Sequence, residues 1–257
     1  MQKFWICALI IIFIAACTPL FAVDGTEFVE GETYTVAWEG SPDAACVKVI
    51  LSGERTPLGI SPRGAFQIPV ADKEASGVQS IPFRMPWIDA IAFTLRIKEF
   101  NANGVEVGLH KRRCRFRPRV MAKRGADGVY LDLHQKINQR LYVQKQGVIT
   151  WCCAVSSSMN HTFLPPGRHM AKPHDHAGVF KVVKKYPSYW SSSYNVAMPW
   201  ALNYNRGHFI HATSLRYYPL LGRPASHGCN RLTWHDARKL YLITPVGTRV
   251  EVIGPGG

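Results

Sequence analysis

The clearest order in this chain is the alternation of apolar and polar positions. Tyr34, Val36 and Trp38 alternate with Thr33, Thr35 and Ala37, and Val47, Val49 and Leu51 repeat the pattern before Ser52-Gly53. Phe93, Leu95 and Ile97 alternate with Thr94, Arg96 and Lys98, followed by a turn signal in "NANG" at 101–104. The run Arg113-Cys114-Arg115-Phe116-Arg117 alternates most cleanly. A period of two over short segments bounded by Gly, Asn and Ser predicts half-buried strands.

Strands at this spacing over 23–117 predict an antiparallel sandwich of the immunoglobulin type. Residues 118–127 read as a linker, because "RPRVMAKRG" at 117–125 is basic, holds Pro and ends in Gly. A second domain is expected over 128–254. Val129, Leu131 and Leu133 alternate, "INQRLYV" returns as a hairpin, and "GVITWCCAVS" is a third strand. "GVFKVVKK" and "GHFIHATS" supply further strands. One helix is predicted from Thr233, whose side chain caps it with Asp236 three residues on. Ala237, Leu240 and Tyr241 form its apolar face, and Pro245 with Gly247 ends it. The Met-Pro-Trp at 85–87 and 198–200 sits in dissimilar contexts and is not an internal repeat.

The first 22 residues change the picture. The apolar run 4–16 is too short for a membrane-spanning helix, which needs about 20 residues, but it fits a secretory signal. Ile14-Ala15-Ala16-Cys17 resembles a bacterial lipoprotein box, which would anchor the chain through a lipid on Cys17; cleavage after Ala22 is the alternative. Export to the periplasm or cell envelope is therefore expected. The 257 residues carry 31 Lys+Arg against 17 Asp+Glu, a formal charge of +14. Such a balance favours polyanions. For an exported chain an anionic envelope surface is expected as partner, and nucleic acid is not. Among the seven cysteines, Cys46 and Cys114 are a candidate bridge, although Cys46 falls on the face opposite Val47 and Val49. Adjacent Cys152 and Cys153 read as buried thiols, since a vicinal disulfide is strained.

Cys229, in "ASHGCNRL", is the thiol that asks for a role. A nucleophilic cysteine needs a group to take its proton. His227 is two residues away in a tight turn, with its side chain expected to point elsewhere. His211 ends a predicted strand 18 residues upstream, close enough through "LRYYPLLGRPA" to be brought beside the loop. Gly228 permits a positive φ, and N–H groups at such a turn can face an oxyanion. Spacing alone leaves open an ordinary thiol and two surface histidines.

These residues resemble the L,D-transpeptidase catalytic-domain family. "FIHATS…GRPASHGCNRL" is similar to its His-x14–17-Ser/Thr-His-Gly-Cys signature, with 14 residues between His211 and Ser226. "MPWALNYNRGHFIHA", "DARKLYLITPVGTRVEVI" and "VYLDLHQKINQRLYVQKQG" resemble the family's approach to its His, its closing helix-turn-strand and its opening hairpin. The resemblance implies a mostly β protein: an immunoglobulin-like sandwich, then an L,D-transpeptidase-type β domain with a short helix after the catalytic loop. It implies Cys229 as nucleophile and His211 as general base and later acid, oriented by the Ala212 carbonyl. Ser226, His227 and Gly228 would form the oxyanion loop, and Arg231, Tyr204 and His208 would contact substrate. That substrate would be a peptidoglycan stem tetrapeptide, cleaved at its L-to-D amide through a thioester and passed to an amine, without cofactor or metal.

Three departures and alternatives stand beside this reading. Asn230 occupies a position expected to be aliphatic, which changes how the loop packs. An insertion within "LPPGRHMAKPHDHAGVFKV" places His169, His174 and His176 near Asp175; it reads as a solvated loop, because a zinc cage draws ligands from several elements. Besides the transpeptidase, a stem-peptide carboxypeptidase or endopeptidase and a non-catalytic wall-binding module are alternatives. Transfer is expected over hydrolysis, because no carboxylate pair lies near the thiol to activate water. Tyr204, Phe209, Tyr217, Tyr218, Leu220 and Leu221 are candidates for a sheltering groove, about half of them as ordinary core.

Overall fold

The computed structural model describes residues 26–56, 64–74, 80–159 and 175–254, together with the backbone of Ile12–Phe13. The lipoprotein-type Cys17, His169 and His174 lie outside the described residues. The chain divides into two compact units, which part between Lys123 and Arg124; Thr56 groups with the second.

The first unit contains β1 (Ile12–Phe13), β2 (Glu27–Val29), β3 (Thr33–Ala37), β4 (Cys46–Glu54), β5 (Ala65–Glu74), β6 (Ser80–Arg84), β7 (Ala92–Phe100) and β8 (Glu106–Arg117). Two sheets form, β1-β3-β6 and β2-β8-β7-β4-β5. The alternation read from the sequence sets their inner faces. Tyr34 and Val36 of one sheet pack with Val49, Leu95 and Ile97 of the other in one buried core. Most neighbours are antiparallel, whereas β2 joins β8 in parallel. Pro69 lies in β5, where an edge strand tolerates the missing N–H.

Cys46 and Cys114 do not bridge each other. Cys46 pairs with Phe100 at one end of β7 and Cys114 with Phe93 at the other. Seven residues of strand separate those positions, roughly 23 Å, so no bridge can form between them. Cys46 instead donates to Asp72 Oδ1 at 3.1 Å.

A 3-10 turn, Arg119–Met121, occupies part of the segment read as a linker, with Met121 fully buried. Downstream, Gln144 Nε2 donates to the carbonyls of Arg124 and Ala126 at 2.9 and 3.0 Å.

The second unit contains β9 (Gly128–Asp132), β10 (Arg140–Lys145), β11 (Val148–Ala154), β12 (Gly178–Lys181), β13 (Lys184–Ser191), β14 (Val196–Asn205), β15 (His208–Ala212), a 3-10 turn (Leu215–Leu220), β16 (Asn230–Leu232), α1 (Trp234–Ile243) and β17 (Arg249–Ile253). Its sheets are β11-β10-β9-β17-β12 and β13-β14-β15-β16. Val129, Leu131 and Val250 of the first, Leu202, Ile210 and Leu232 of the second, and Ala237 and Leu240 of α1 share one core. Thr233 Oγ1 accepts from the Asp236 N–H at 3.0 Å, the cap expected for this helix.

Two strand readings are corrected. "GVFKVVKK" is not one strand: it breaks at Val182-Val183, β12 joining β17 and β13 joining β14. All of β9 is buried rather than half of it. β9 lies between β10 and β17, and its second face is covered where Arg249 sits over the Tyr130 ring at 5.3 Å.

Candidate active site

β15 and β16 run in parallel, pairing Ile210 with Asn230 and His211 with Arg231. Extending that register by one residue sets Cys229 beside Phe209. His211 is then two positions along the neighbouring strand with the same side-chain parity. Strand spacing and rise put the two Cα atoms roughly 8 Å apart. A parallel pair needs a crossover, which the 3-10 turn and the 221–229 loop supply. The fold thus brings His211 and Cys229 to one surface, where both line a groove of about 720 Å3.

The His211 ring is buried, and its Nδ1 lies 2.7 Å from the Ala212 carbonyl. A carbonyl can only accept, so Nδ1 carries the proton and Nε2 keeps its lone pair. Burial lowers the His211 pKa from 6.5 to about 4, the Ala212 carbonyl opposing this and the Arg231 charge adding to it. Burial also raises the Cys229 thiol from 9.0 to about 11, against a Phe209 backbone hydrogen bond that lowers it. Desolvation disfavours both charged forms. At neutral pH the resting pair is therefore a thiol and a neutral imidazole.

The loop carrying Cys229 is tied from within. Gly228 has φ 131°, which favours glycine. Ser226 Oγ accepts the Gly228 N–H at 3.2 Å and donates to the Cys229 carbonyl. The Gly228 N–H expected to face an oxyanion is thus turned to Ser226, and the part of Ser226 is to shape the turn. The His227 ring stacks on Tyr194 at 6.1 Å, and its carbonyl accepts from the Tyr194 hydroxyl at 3.1 Å.

Asn230 is fully buried and hydrogen-bonded on both sides. Its Oδ1 accepts from the Tyr204 hydroxyl at 2.7 Å, and its Nδ2 donates to Asp175 Oδ1 at 3.1 Å. Asp175 Oδ2 in turn accepts the Ser158 N–H at 2.9 Å. This explains why a polar residue stands where an aliphatic one was expected: its amide has partners. Two substrate-contact expectations are corrected here. Tyr204 is buried with its hydroxyl committed to Asn230, and His208 packs edge-on against His176 at 4.9 Å; neither lines the groove. Asp175 points into the network rather than toward a metal, and no group of three or more ligand side chains positioned for a metal occurs among the described residues.

Arg231 does line the groove, with Nη1 donating to the Ala225 carbonyl at 2.9 Å. The guanidinium groups of Arg231 and Arg216 approach the Tyr217 ring at 4.9 and 4.7 Å. Of the six groove candidates only Tyr217 is a wall residue; Phe209 belongs to a small core with Met198 and Ala201. The walls that sequence reasoning missed include Tyr194 and Asn195 from the β13–β14 turn, the start of β14, Thr213, Ser214 and Arg216 after β15, and Trp234 at the start of α1. No motif marks them; only the fold gathers them.

Residues 129–252 match the YkuD family model, described as the L,D-transpeptidase catalytic domain. Similar solved structures include L,D-transpeptidases from Xylanimonas cellulosilytica (26% identity, 53% of this chain and 64% of that one, TM-score 0.45) and Stackebrandtia nassauensis (29%, 52% and 57%, 0.38). Another, from Mycobacterium smegmatis, is 13% identical over 95% of this chain and 99% of that one, with TM-score 0.39. This chain thus spans less than two thirds of the first two. A search of curated proteins returns no match. Residues 129–252 carry the L,D-transpeptidase catalytic domain.

Proposed function

We propose that this chain is an exported peptidoglycan L,D-transpeptidase acting in the cell envelope. The observation that carries the reading is the buried His211 beside the Cys229 loop, with Nδ1 fixed by the Ala212 carbonyl and both residues on one groove. The free Nε2 accepts the Cys229 proton as Sγ attacks the carbonyl carbon of the L-to-D amide in a stem tetrapeptide. The tetrahedral adduct collapses as His211 returns the proton to the leaving D-Ala amine, which leaves a thioester on Sγ. An amine from a second stem or a protein attacks that thioester. His211 takes the amine proton and restores the thiol as the new amide forms.

Arg216 and Arg231 make the groove cationic, and no Asp or Glu is among its described wall residues. That charge suits the carboxylate of a terminal D-Ala. It also leaves no carboxylate to activate water, which favours transfer to an amine. Water near 55 M is outcompeted only by a held acceptor, for which effective molarities reach about 10⁵ M.

The test is incubation of the purified chain with defined tetrapeptide muropeptides, with and without an amine acceptor. Product masses should show crosslinked dimers and an acyl adduct on Cys229. Tripeptide as the sole product at every acceptor concentration makes the protein a hydrolase. Unchanged muropeptide, bound equally by Cys229→Ala, makes it a binding module.

A further inference from the structure

We infer that the outer face of the five-stranded sheet in the first unit is a docking surface for an anionic phospholipid membrane. On β8, Lys111, Arg113 and Arg115 are exposed and share one face. Successive outward positions on a strand are about 6.6 Å apart, so they form a cationic row. Beside that row, Arg96 stands directly opposite Lys111, and one strand further Lys48 stands opposite Lys98.

Like charges in direct register destabilise a sheet. Strand pairing alone would place carboxylates at these positions. Lys48 and Lys98 have acidic partners, Asp72 at 3.7 Å and Glu106 at 2.7 Å. Arg96, Lys111, Arg113 and Arg115 have no ion pair among the described residues. The Nε of Arg96 is buried with no hydrogen-bond partner among them. Arg115 has Glu27 opposite it on β2, whereas Arg96, Lys111 and Arg113 keep a self-repelling set of cations that an external anion would relieve.

The apolar end of the face selects the kind of anion. Val105, in the β7–β8 turn, is 57% exposed, and Leu109, on the outward side of β8 opposite Lys98, is 39% exposed. A soluble polyanion gains nothing from two aliphatic side chains at the rim. A bilayer does: cations meet headgroup phosphates while aliphatic groups enter the interface. This surface belongs to the first unit and does not depend on the transpeptidase reading.

The test uses the full chain with Cys17→Ser, so that no acyl chain contributes, in sedimentation with phosphatidylcholine vesicles with and without phosphatidylglycerol. Binding should require the anionic lipid and weaken with salt. At about 1 kcal/mol, or five-fold, per cation, Lys111→Gln with Arg113→Gln and Arg115→Gln should weaken partition about 100-fold, and Arg113→Gln alone about five-fold. Val105→Ser with Leu109→Ser should weaken it several-fold, while Lys136→Gln in the second unit leaves it unchanged. Wild-type partition by the triple variant, or by Arg113→Gln should the triple variant not fold, overturns the inference. So does competition by inorganic polyphosphate combined with full binding of the Val105/Leu109 variant, which would assign the face to a soluble polyanion.

Discussion

Both units are stacked sheets, but they bury different chemistry. The first closes over Phe28, Val49, Leu95 and Ile97, and its deepest carboxylate, Glu99, serves the chain alone. Glu99 Oε1 accepts from Trp38 Nε1 at 2.8 Å and from the Ser41 N–H at 3.1 Å. A Cβ on the facing Gly108 would lie 2.0 Å from Glu99 Oε2, which explains the glycine there. The second unit buries Ser158, Asp175, Asn230 and His211 around the Cys229 loop. Buried polar groups are costly unless each has a partner. In the sandwich such a group secures a turn; in the second unit a connected set underlies the loop of the proposed nucleophile. Activity should therefore be sensitive to polar substitutions in the second unit and indifferent to apolar losses in the first.

The sharpest test of that contrast is removal of the proposed reactive pair. Cys229→Ala and His211→Ala should each cut turnover by roughly 10⁶-fold, as loss of a nucleophile or its base does in a serine protease. His227→Ala, which removes a ring stacked on Tyr194, should cost far less. Turnover rates on a defined muropeptide decide it, and equal loss from all three would erase the distinction between reacting and loop-shaping residues. The opposite arm is Leu95→Ala, in the middle of the sandwich core and 1% exposed. A buried Leu→Ala change costs about 2–5 kcal/mol. Denaturant unfolding should show that loss while turnover at low temperature stays near wild type.

The same contrast explains what could be read in advance. Strands such as β7 were legible because their apolar residues alternate strictly, and Cys229 with His211 because a short motif carries them. The Asp175–Asn230–Tyr204 network was not legible. Its members come from distant segments, and burial of a polar side chain depends on partners that sequence order does not show. By sequence alone Tyr204 therefore reads as a substrate contact. β13 and β14 were obscured by Pro187 and Pro199. The register passes over Pro187 and Trp200, and Trp200 takes φ 55°, an irregularity that no period-2 pattern reveals.

A smaller effect follows from the buried imidazole. The folded pKa of His211 is about 4, whereas an unfolded His titrates near 6.5. Between those values the unfolded chain takes up a proton that the folded one does not, so stability is full above about 6.5 and falls as pH drops toward 4. The loss is on the order of 3 kcal/mol. Urea midpoints measured across this window should fall less steeply for His211→Gln than for wild type. The acid limb of kcat/KM should lie near pH 4 rather than 6.5. Alkylation of Cys229 should accelerate between pH 9 and 11 instead of levelling off at neutrality. A neutral-pH plateau would mean a preformed thiolate-imidazolium pair.

The smallest effects discriminate between the units most finely, because they can be matched in size. Thr233 caps α1 by accepting the Asp236 N–H, and the next residue, Trp234, is a groove wall. Thr233→Ala should cost about 1 kcal/mol through the lost cap. Ser52, in β4 of the sandwich, donates to the Thr94 carbonyl at 3.3 Å, and Ser52→Ala should cost a similar amount, about 1 kcal/mol. The consequences should diverge. Without its cap the first turn of α1 frays, the Trp234 ring loses its fixed place against Trp200, 5.6 Å away, and one wall of the groove loosens. Substrate positioning tolerates little displacement, so Thr233→Ala should raise KM several-fold with a smaller fall in kcat, while Ser52→Ala leaves both unchanged. Paired unfolding and kinetic measurements test this directly. If the two variants lose equal stability and equal activity, the helix start contributes to the groove only through global stability, and the division between a scaffold unit and a site-holding unit fails at this position.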